Sequence, residues 1–167
     1  MKKILYLERE KAIAFTGHRI IPLARQEEVR KRLTTAVTLA CKSGMTRFYC
    51  GMALGFDMMA AEVVLSLKDK FPDIQLFAVV PFSGQSTRWV SSEQERYHRI
   101  LAKTDKVVTL SKDYFRGCLL RRNDYMLSHS CSVIAYYDGK PKGGTFYTVR
   151  KAERMKMNVV NICGKRG

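Results

Sequence analysis

The stretch AIAFTGHR, residues 12–19, is an apolar run that ends at a glycine, a histidine and an arginine. Residues 12–16 predict a buried strand, because apolar residues follow one another without polar alternation. Gly17 then lets the backbone turn, and Arg19 comes just beyond the strand. An arginine at that point either closes a surface turn or is placed to meet an anion.

Five further runs of the same kind recur along the chain. They are rich in Val, Ile, Phe and Tyr and cover residues 47–50, 74–81, 106–110, 133–137 and 158–162. Helical patterns separate them, and strict alternation of strand and helix predicts right-handed βαβ units. We therefore expect an α/β fold: a single Rossmann-like, doubly wound, mostly parallel sheet of about six strands flanked by helices.

The first helix is predicted from the spacing of its apolar residues. Val29, Leu33, Val37 and Ala40 recur at three- and four-residue intervals, which places them on one face of a helix. Gly44 follows where a helix with this stripe would end.

The later helices are predicted mainly from their boundary signals. Asp57 is expected to begin the second helix, and Phe71-Pro72 to end it. Ser92 followed by Glu95 has the spacing of a capping box that opens a third helix. Two more helical stretches are predicted, at residues 118–129 and 145–157.

Length and composition predict one domain over residues 1–167, with residues 1–11 as an N-terminal extension. The five cysteines form no CxxC pair and the three histidines have no zinc-like spacing, so we expect no metal site. The opening MKKILYLERE is too short for a signal-peptide core, and no run is long enough to span a membrane. A cytoplasmic protein is expected.

The charge favours anionic partners. Lys and Arg number 30 against 15 acidic residues, a formal net charge of +15. Such an excess suits nucleic acids, nucleotides or acidic surfaces. The basic residues are dispersed, so an evenly cationic surface and a binding face both remain open.

Ligands of open α/β sheets bind beyond the carboxyl ends of the strands. The candidate ligand-binding residues are therefore those that follow each predicted strand or open the next helix: Thr16, Gly17, His18, Arg19, Gly51, Gly55, Asp57, Pro81, Phe82, Gln85, Trp89, Arg122, Asn123, Asp138, Gly139, Gly143, Gly144 and Thr145.

Several of these residues allow two interpretations. Arg19 offers a planar fork to a phosphate or carboxylate, or it pairs with a neighbouring carboxylate. Asp57 either caps its helix or faces the ligand. Trp89 either stacks on a base or packs onto the edge of the sheet. Gly143 and Gly144, at the start of a helix, are suited to an anion nest.

Several common nucleotide and hydrolase motifs are absent. The chain has no GxxxxGK[ST], which excludes a P-loop NTPase, and no GxGxxG after the first strand, which argues against ordinary dinucleotide binding. It also has no GxSxG, the nucleophile elbow of α/β-hydrolases.

An ordered set of motifs resembles the YpsA-like branch of the SLOG superfamily, which is named for the SMF/DprA and LOG proteins. The motifs are FTGHR, GMALGFD, VPF with Gln85 and Trp89, LLRRNDYM, and YDG with GGT. The resemblance extends over residues 12–162. It implies a Rossmann-like domain that binds or senses a nucleotide or nucleotide-derived ligand, with AMP, ADP-ribose and NAD-related molecules as the compounds to consider.

The LOG relatives are phosphoribohydrolases with a PGGxGTxxE signature, and the resemblance to that signature is partial. Gly143, Gly144 and Thr145 correspond to its glycines and threonine, but Thr148 stands in place of its glutamate. Cys131 stands where an aspartate is expected in this branch. The resemblance therefore implies that the ligand-binding glycines and threonine of the signature are retained and that its catalytic glutamate is absent.

Three functions remain open at this point. The first is a non-catalytic module that binds a nucleotide-derived small molecule. The second is an N-glycosidase or phosphoribohydrolase that uses Asp57 or Asp138 as its catalytic carboxylate. The third is a single-stranded nucleic-acid binder, with weak binding through the basic surface. Homo-oligomer formation is also left open.

Overall fold

A computed structural model describes residues 7–164. All neighbouring strands of its six-stranded sheet pair in parallel, in the order β4-β3-β2-β1-β5-β6. The strands are β1 Ala12–Gly17, β2 Arg47–Cys50, β3 Gln75–Val80, β4 Lys106–Thr109, β5 Ser132–Tyr136 and β6 Asn158–Asn161. The predicted fold class is confirmed.

Five α-helices and a short 3-10 helix at Leu23–Arg25 connect the strands within the described residues. The α-helices are α1 Gln26–Lys42, α2 Phe56–Leu67, α3 Ser91–Leu101, α4 Cys118–Ser128 and α5 Gly143–Arg154. Each intervenes between two consecutive strands, which gives the sheet its crossovers.

The side chains of β1 alternate between two hydrophobic layers, as the pleat of a strand requires. Ile13 and Phe15 point to the layer shared with α1, α2 and α3. Ala12 and Ala14 point to the layer shared with α4 and α5. Phe15 packs against Phe48 with ring centroids 5.9 Å apart. The predicted strand is therefore buried on both faces because a helical layer covers each face.

The two edge strands differ from the predicted buried pattern. Most residues of β4 and β6 are exposed, because each has a neighbour on one side only. The observed strand ends otherwise lie within one residue of the prediction.

Several predicted helix boundaries are wrong. Helix α2 begins at Phe56 after an N-cap at Gly55, and it ends at Leu67 because a turn with the bond Phe71 N–H to Leu67 O replaces its last helical turn. The predicted capping box of Ser92 is also wrong. Helix α3 begins at Ser91, and its N-cap residue has no side chain that could cap it.

The remaining helices lie close to their predicted ranges. Helix α1 buries Val29, Leu33 and Val37 and is followed by Gly44 in a left-handed conformation, as predicted. Helix α5 begins two residues before Thr145, because the preceding lysine already has the extended conformation of an N-cap.

The strand order places a topological switch point between β1 and β5. From β1 the chain proceeds to β2, β3 and β4 on one side, and then crosses to β5 on the other. A crevice forms at the carboxyl ends of two such strands, and ligands of doubly wound sheets bind there. Among residues 7–164, no helix is both long and apolar enough to cross a membrane. Residues 1–6 of the predicted extension lie outside the described part.

Candidate functional site

A cavity of about 460 Å³ opens at the switch point. The segments after β1, β2 and β4 and the first turns of α4 and α5 surround it. Its lining consists of Phe15, Thr16, Gly17, His18, Arg19, Ala53, Asp57, Tyr114, Gly117, Leu119, Leu120, Arg122, Asn123, Lys142, Gly143, Gly144 and Thr145.

The end of β1 is locked against the start of α2. A Cβ atom on Gly17 would lie 2.4 Å from the ring of Phe56, so only glycine fits there without a shift. The Phe56 N–H donates to His18 O at 3.1 Å. The close approach of strand end and helix start sets the position of His18 and Arg19 at the cavity.

The segment after β2 is shaped by two further close approaches. A Cβ on Gly51 would lie 2.7 Å from the guanidinium of Arg122, and a Cβ on Gly55 would lie 2.1 Å from Arg19 O. Gly55 also has a φ of 80°, which disfavours any other residue. These two glycines are needed for packing around the cavity, and neither lines it.

Arg122 is a buried cation in the lining of the cavity, with only 5% of its surface exposed. Its Nη1 donates to Gly51 O at 2.5 Å and to Gln85 Oε1 at 3.4 Å, and its Nε donates to Asn123 Oδ1 at 2.8 Å. Burial lowers the pKa of Arg122, and the negative charge of Asp57 opposes this change. The arginine thus ties α4 to the carboxyl end of β2.

Gln85, in the loop after β3, forms hydrogen bonds to Arg122 and to the carboxyl end of β2. Its Nε2 donates to Met52 O at 3.1 Å and to Gly51 O at 3.3 Å, while its Oε1 accepts from Arg122. Met52 is held at a φ of 58°, an uncommon conformation for a residue other than glycine. The side-chain amide therefore stabilises a strained turn next to Ala53, which lines the cavity.

Asp57 lines the cavity and is 5% exposed. Its Oδ2 accepts the Ala53 N–H at 3.2 Å, whereas Oδ1 has no hydrogen-bond partner within residues 7–164. Burial raises the pKa of Asp57 to about 6, although Arg122, the Ala53 amide and Arg19 oppose the rise. Because Gly55 is the N-cap of α2, Asp57 is not the helix cap.

Helices α4 and α5 begin at the cavity wall. Helix α2 contributes Asp57 of its first turn to the lining, but its Phe56 N–H is already bonded to His18 O. Helix α4 follows an N-cap at Gly117 with a φ of 91°, and α5 follows an N-cap at Lys142, and neither has a side-chain hydrogen bond to its cap. First-turn amides and the helix dipole make such termini attractive to an anion.

The Arg19 side chain is exposed at the cavity. It forms no ion pair with a carboxylate of residues 7–164, so pairing with a neighbouring carboxylate does not explain its position. The charged side chains of the lining are three cations, Arg19, Arg122 and Lys142, and one carboxylate, Asp57. The cavity therefore favours a ligand with negative charge.

Asp138 is held by its own turn. Its Oδ1 accepts the Lys140 N–H at 3.0 Å, and its backbone N–H donates to His18 Nε2 at 3.0 Å. His18 Nε2 also lies 3.2 Å from Asp138 Oδ1. Asp138 therefore contacts His18 from outside the cavity and does not itself line the cavity.

The structure brings ten of the eighteen predicted site residues into the cavity lining: Thr16, Gly17, His18, Arg19, Asp57, Arg122, Asn123, Gly143, Gly144 and Thr145. The others do not line it: Gly51, Gly55, Pro81, Phe82, Gln85, Trp89, Asp138 and Gly139. Of these eight, the two glycines of the β2 loop, Gln85 and Asp138 contact lining residues from outside.

Trp89 and Phe82 lie away from the main cavity. Trp89 packs edge-on against Tyr97 with ring centroids 5.2 Å apart, in the hydrophobic layer of α1 to α3. Trp89 therefore packs, but against a helix and not onto the edge of the sheet. Phe82 lines a second cavity, together with Tyr114.

Sequence reasoning missed part of the lining: Phe15, Ala53, Tyr114, Gly117, Leu119, Leu120 and Lys142. The rule that ligands bind beyond the carboxyl ends of strands applies equally to the loop after β4, which contains Tyr114 and Gly117. Gly117 immediately precedes the predicted helix, and that position was itself a signal of a helix start.

Two residues singled out by the resemblance lie outside the cavity. Thr148 is 1% exposed, and its hydroxyl donates to Gly144 O at 2.9 Å within α5. Cys131 precedes β5 at the amino end of the sheet, where its Sγ donates to Glu10 O and Ala12 O. Within residues 7–164, no group of three or more potential metal ligands lies close enough together to hold an ion.

The sequence is similar to several curated bacterial proteins. A UPF0398 protein of Halalkalibacterium halodurans is 29% identical over 128 residues, 75% of this chain and 68% of that protein. One of Shouchella clausii is 35% identical over 60% of this chain and 55% of its own length. One of Bacillus velezensis is 23% identical over 87% of this chain and 85% of its own length.

The fold is similar to that of a solved protein, DNA processing protein A of Helicobacter pylori, for which a single-stranded DNA binding mode is described. The TM-score is 0.65 at 20% identity, and the match covers 93% of this chain and 66% of that one. The model of the YpsA (YspA SLOG) family matches residues 13–162, which include every strand from β2 to β6 and nearly all of β1. The chain belongs to the YpsA (YspA SLOG) family.

Proposed function

We propose that the chain binds a phosphorylated, nucleotide-derived small molecule in the cavity at the switch point. The observation that carries this proposal is the meeting of the α4 and α5 amino termini, both without side-chain caps, with a buried carboxylate oxygen, Asp57 Oδ1, that has no partner in the described residues. The helix termini attract an anion, and the carboxylate oxygen accepts a hydrogen bond from a neutral donor. A phosphate carried on a hydroxylated sugar provides both groups.

The size and charge of the cavity support the same ligand class. A volume of about 460 Å³ lies in the range of roughly 300–1,000 Å³ that is common for small-molecule sites. Arg122 is engaged by protein oxygens, so the exposed Arg19 and the α5 N-cap residue Lys142 are the cations left for the phosphate. Of the compounds considered, AMP is the smallest that has a phosphate on a hydroxylated sugar. ADP-ribose and NAD are larger molecules that contain the same groups.

Replacing Arg19 by alanine is expected to weaken AMP binding by about 10- to 150-fold, the loss of one charge-assisted hydrogen bond of roughly 1.5–3 kcal/mol. Isothermal titration of wild type and variant measures the change. Arg99→Ala is the matched control, because Arg99 is an exposed arginine on α3 that lines a different surface depression. The control should bind AMP as wild type does.

Thermal-shift measurements with AMP, ADP-ribose and NAD precede this titration, since a ligand that binds only the folded state raises its melting temperature. If none of the three stabilises the wild-type protein, the proposal is wrong. If Arg19→Ala and Arg99→Ala lowered the affinity for AMP equally, the phosphate would instead bind away from this cavity.

The geometry gives less support to a glycosidase. Cleavage of an N-glycosidic bond through an oxocarbenium-like state is usually shared by two carboxylates. Asp57 is the one carboxylate in the lining, Asp138 is held by its turn, and Thr148 lies outside the cavity. The raised pKa of Asp57 is nevertheless what a general acid requires.

We expect the purified protein to release no free base from AMP, GMP or CMP above the level of a heat-inactivated sample. Chromatography of the reaction mixture measures this directly. Base release that Asp57→Asn abolishes while the variant remains folded would replace the binding proposal with an enzymatic one.

Single-stranded nucleic acid is the second candidate ligand. The Helicobacter pylori protein with the same fold binds single-stranded DNA, and this chain has a net charge of +15. The specific observation in its favour is the exposure of two consecutive aromatic residues, Tyr114, which lines the cavity, and Phe115, since bases stack on such rings.

A further inference from the structure

A second cavity, of about 550 Å³, adjoins the first at the carboxyl ends of β3 and β4. It is lined by Phe82, Gly84, Gln85, Thr87, Arg88, Lys112, Asp113 and Tyr114. Tyr114 belongs to the lining of both cavities. The two cavities are therefore neighbouring compartments that share one aromatic wall.

The shared wall is a well-defined aromatic surface. Tyr114 meets Phe82 edge-on, with ring centroids 5.4 Å apart and an angle of 80° between the rings. The Tyr114 side chain is nonetheless 64% exposed, so much of its ring surface is open. A ring fixed by an edge-on partner and open elsewhere is suited to stacking on a planar ligand.

The loops that form the second cavity are fixed to each other and to the first cavity. The Ser83 N–H donates to Ser111 O at 3.1 Å, which joins the loop after β3 to the loop after β4. Gln85 lines the second cavity and bonds to Gly51 O and to Arg122, which lines the first. A ligand that reaches from one cavity into the other would therefore contact loops that are hydrogen-bonded to one another.

The second cavity also favours negative charge. Arg88 and Lys112 line it against a single carboxylate, Asp113. Neither cation forms an ion pair with a described residue. An aromatic ring beside two free cations matches the chemistry of a base with an adjoining phosphate.

We propose that the two cavities together bind one molecule with two bases joined through phosphate: a nucleotide in the first cavity and a second base against Tyr114 in the second. This proposal rests on the proposed function of the first cavity and extends it. Two sources share the chemistry, a free dinucleotide and a stretch of single-stranded nucleic acid.

Titration with AMP and with the 5′-phosphorylated dinucleotide pApA tests the proposal. We expect wild-type protein to bind pApA at least tenfold more tightly than AMP, the gain from stacking one additional base. Tyr114→Leu should remove most of this advantage, whereas Tyr114→Phe should keep it because the ring is retained. The readout is the ratio of the two affinities, since Tyr114 also lines the first cavity.

A charge variant tests the second cavity alone. The double substitution Arg88→Ala/Lys112→Ala is expected to lower the affinity for pApA about tenfold or more while AMP binding stays unchanged. The control Arg99→Ala/Lys103→Ala removes two exposed cations from a different surface depression and should change neither affinity.

The outcomes separate this proposal from the proposed function. If AMP binds but pApA binds no more tightly, the two-base proposal is wrong and the proposed function stands. If neither compound binds, both are wrong. A ten-residue oligodeoxyadenylate identifies the source: affinity well above that of pApA supports single-stranded nucleic acid, and equal affinity supports a free dinucleotide.

Discussion

Replacing Arg122 by methionine is expected to lower the free energy of unfolding at pH 7.5 by about 3–5 kcal/mol, the usual cost of removing one partner from a buried charged network. The oxygen atoms of the Gln85 and Asn123 side chains lose the donor that Arg122 provides, and Gly51 O keeps only its 3.3 Å bond from Gln85 Nε2. Asp57 also loses the positive charge that opposes the rise in its pKa. For a chain of this length the loss corresponds to a fall in melting temperature of roughly 10 °C.

The matched control is the next residue along α4. Arg121→Met removes the same charge and adds the same side chain, but Arg121 is exposed, and its contacts are a 3.4 Å bond to Leu110 O and an approach of 5.8 Å to the Phe115 ring. Its expected effect is within about 0.5 kcal/mol. Thermal unfolding of both variants and wild type provides the comparison.

The pH dependence distinguishes the charge of Arg122 from its packing. Below about pH 5, Asp57 is protonated and needs no counter-charge, so the loss in Arg122→Met should be smaller there. Adding Asp57→Asn to Arg122→Met should recover part of the stability at pH 7.5. An equal loss at pH 5 and pH 7.5, with no recovery in the double variant, would mean that packing alone explains the effect.

The fold could be predicted because its signals are local. Each of the four inner strands is an apolar run, and the alternation with helices leaves few topologies. Boundaries were less predictable, because backbone geometry decides them. Ser92 and Glu95 have the spacing of a capping box, yet the N-cap of α3 is Val90, two residues before Ser92. The exposure of β4 and β6 follows from strand order, which no single segment encodes.

The candidate site was predictable to the extent that it follows the strand ends. Arg19 and Gly143 follow β1 and β5, and the strand order brings them together. What could not be predicted is burial. Arg122 lies in a predicted helix, and nothing in that pattern indicates that it is 5% exposed and packed 2.7 Å from the position that a Gly51 Cβ would take. Tyr114 comes from a loop whose sequence has no periodic signal.

Substitution of Asp57 by asparagine is expected to stabilise the folded protein at pH 7.5, by about 1–3 kcal/mol. The pKa of this carboxyl is about 6 in the folded chain against 3.8 for an ordinary aspartate, and each pKa unit corresponds to roughly 1.4 kcal/mol. The folded state therefore holds its proton more tightly than the unfolded state. This contribution to stability is fully present below about pH 4 and is lost as the pH rises to about 6.

Asparagine cannot ionise, so the variant avoids this loss, and its amide oxygen can take the place of Asp57 Oδ2 as acceptor of the Ala53 N–H. The gain should therefore be absent at pH 4 and complete near pH 7. Asp69→Asn is the control, because Asp69 is exposed and such surface changes usually alter stability by about 0.5 kcal/mol or less. Melting temperatures at pH 4, 5, 6 and 7.5 measure both variants.

A stability gain in Asp57→Asn would have a functional counterpart. A carboxylate that costs the folded state free energy, and whose Oδ1 lacks a partner among the described residues, is typical of a site that trades stability for binding. We therefore expect the more stable variant to bind AMP at least tenfold more weakly, because the amide cannot accept the hydrogen bond that the carboxylate accepts. A variant that is less stable than wild type at pH 7.5, with AMP affinity intact, would show that the Asp57 carboxylate serves the fold and not the ligand.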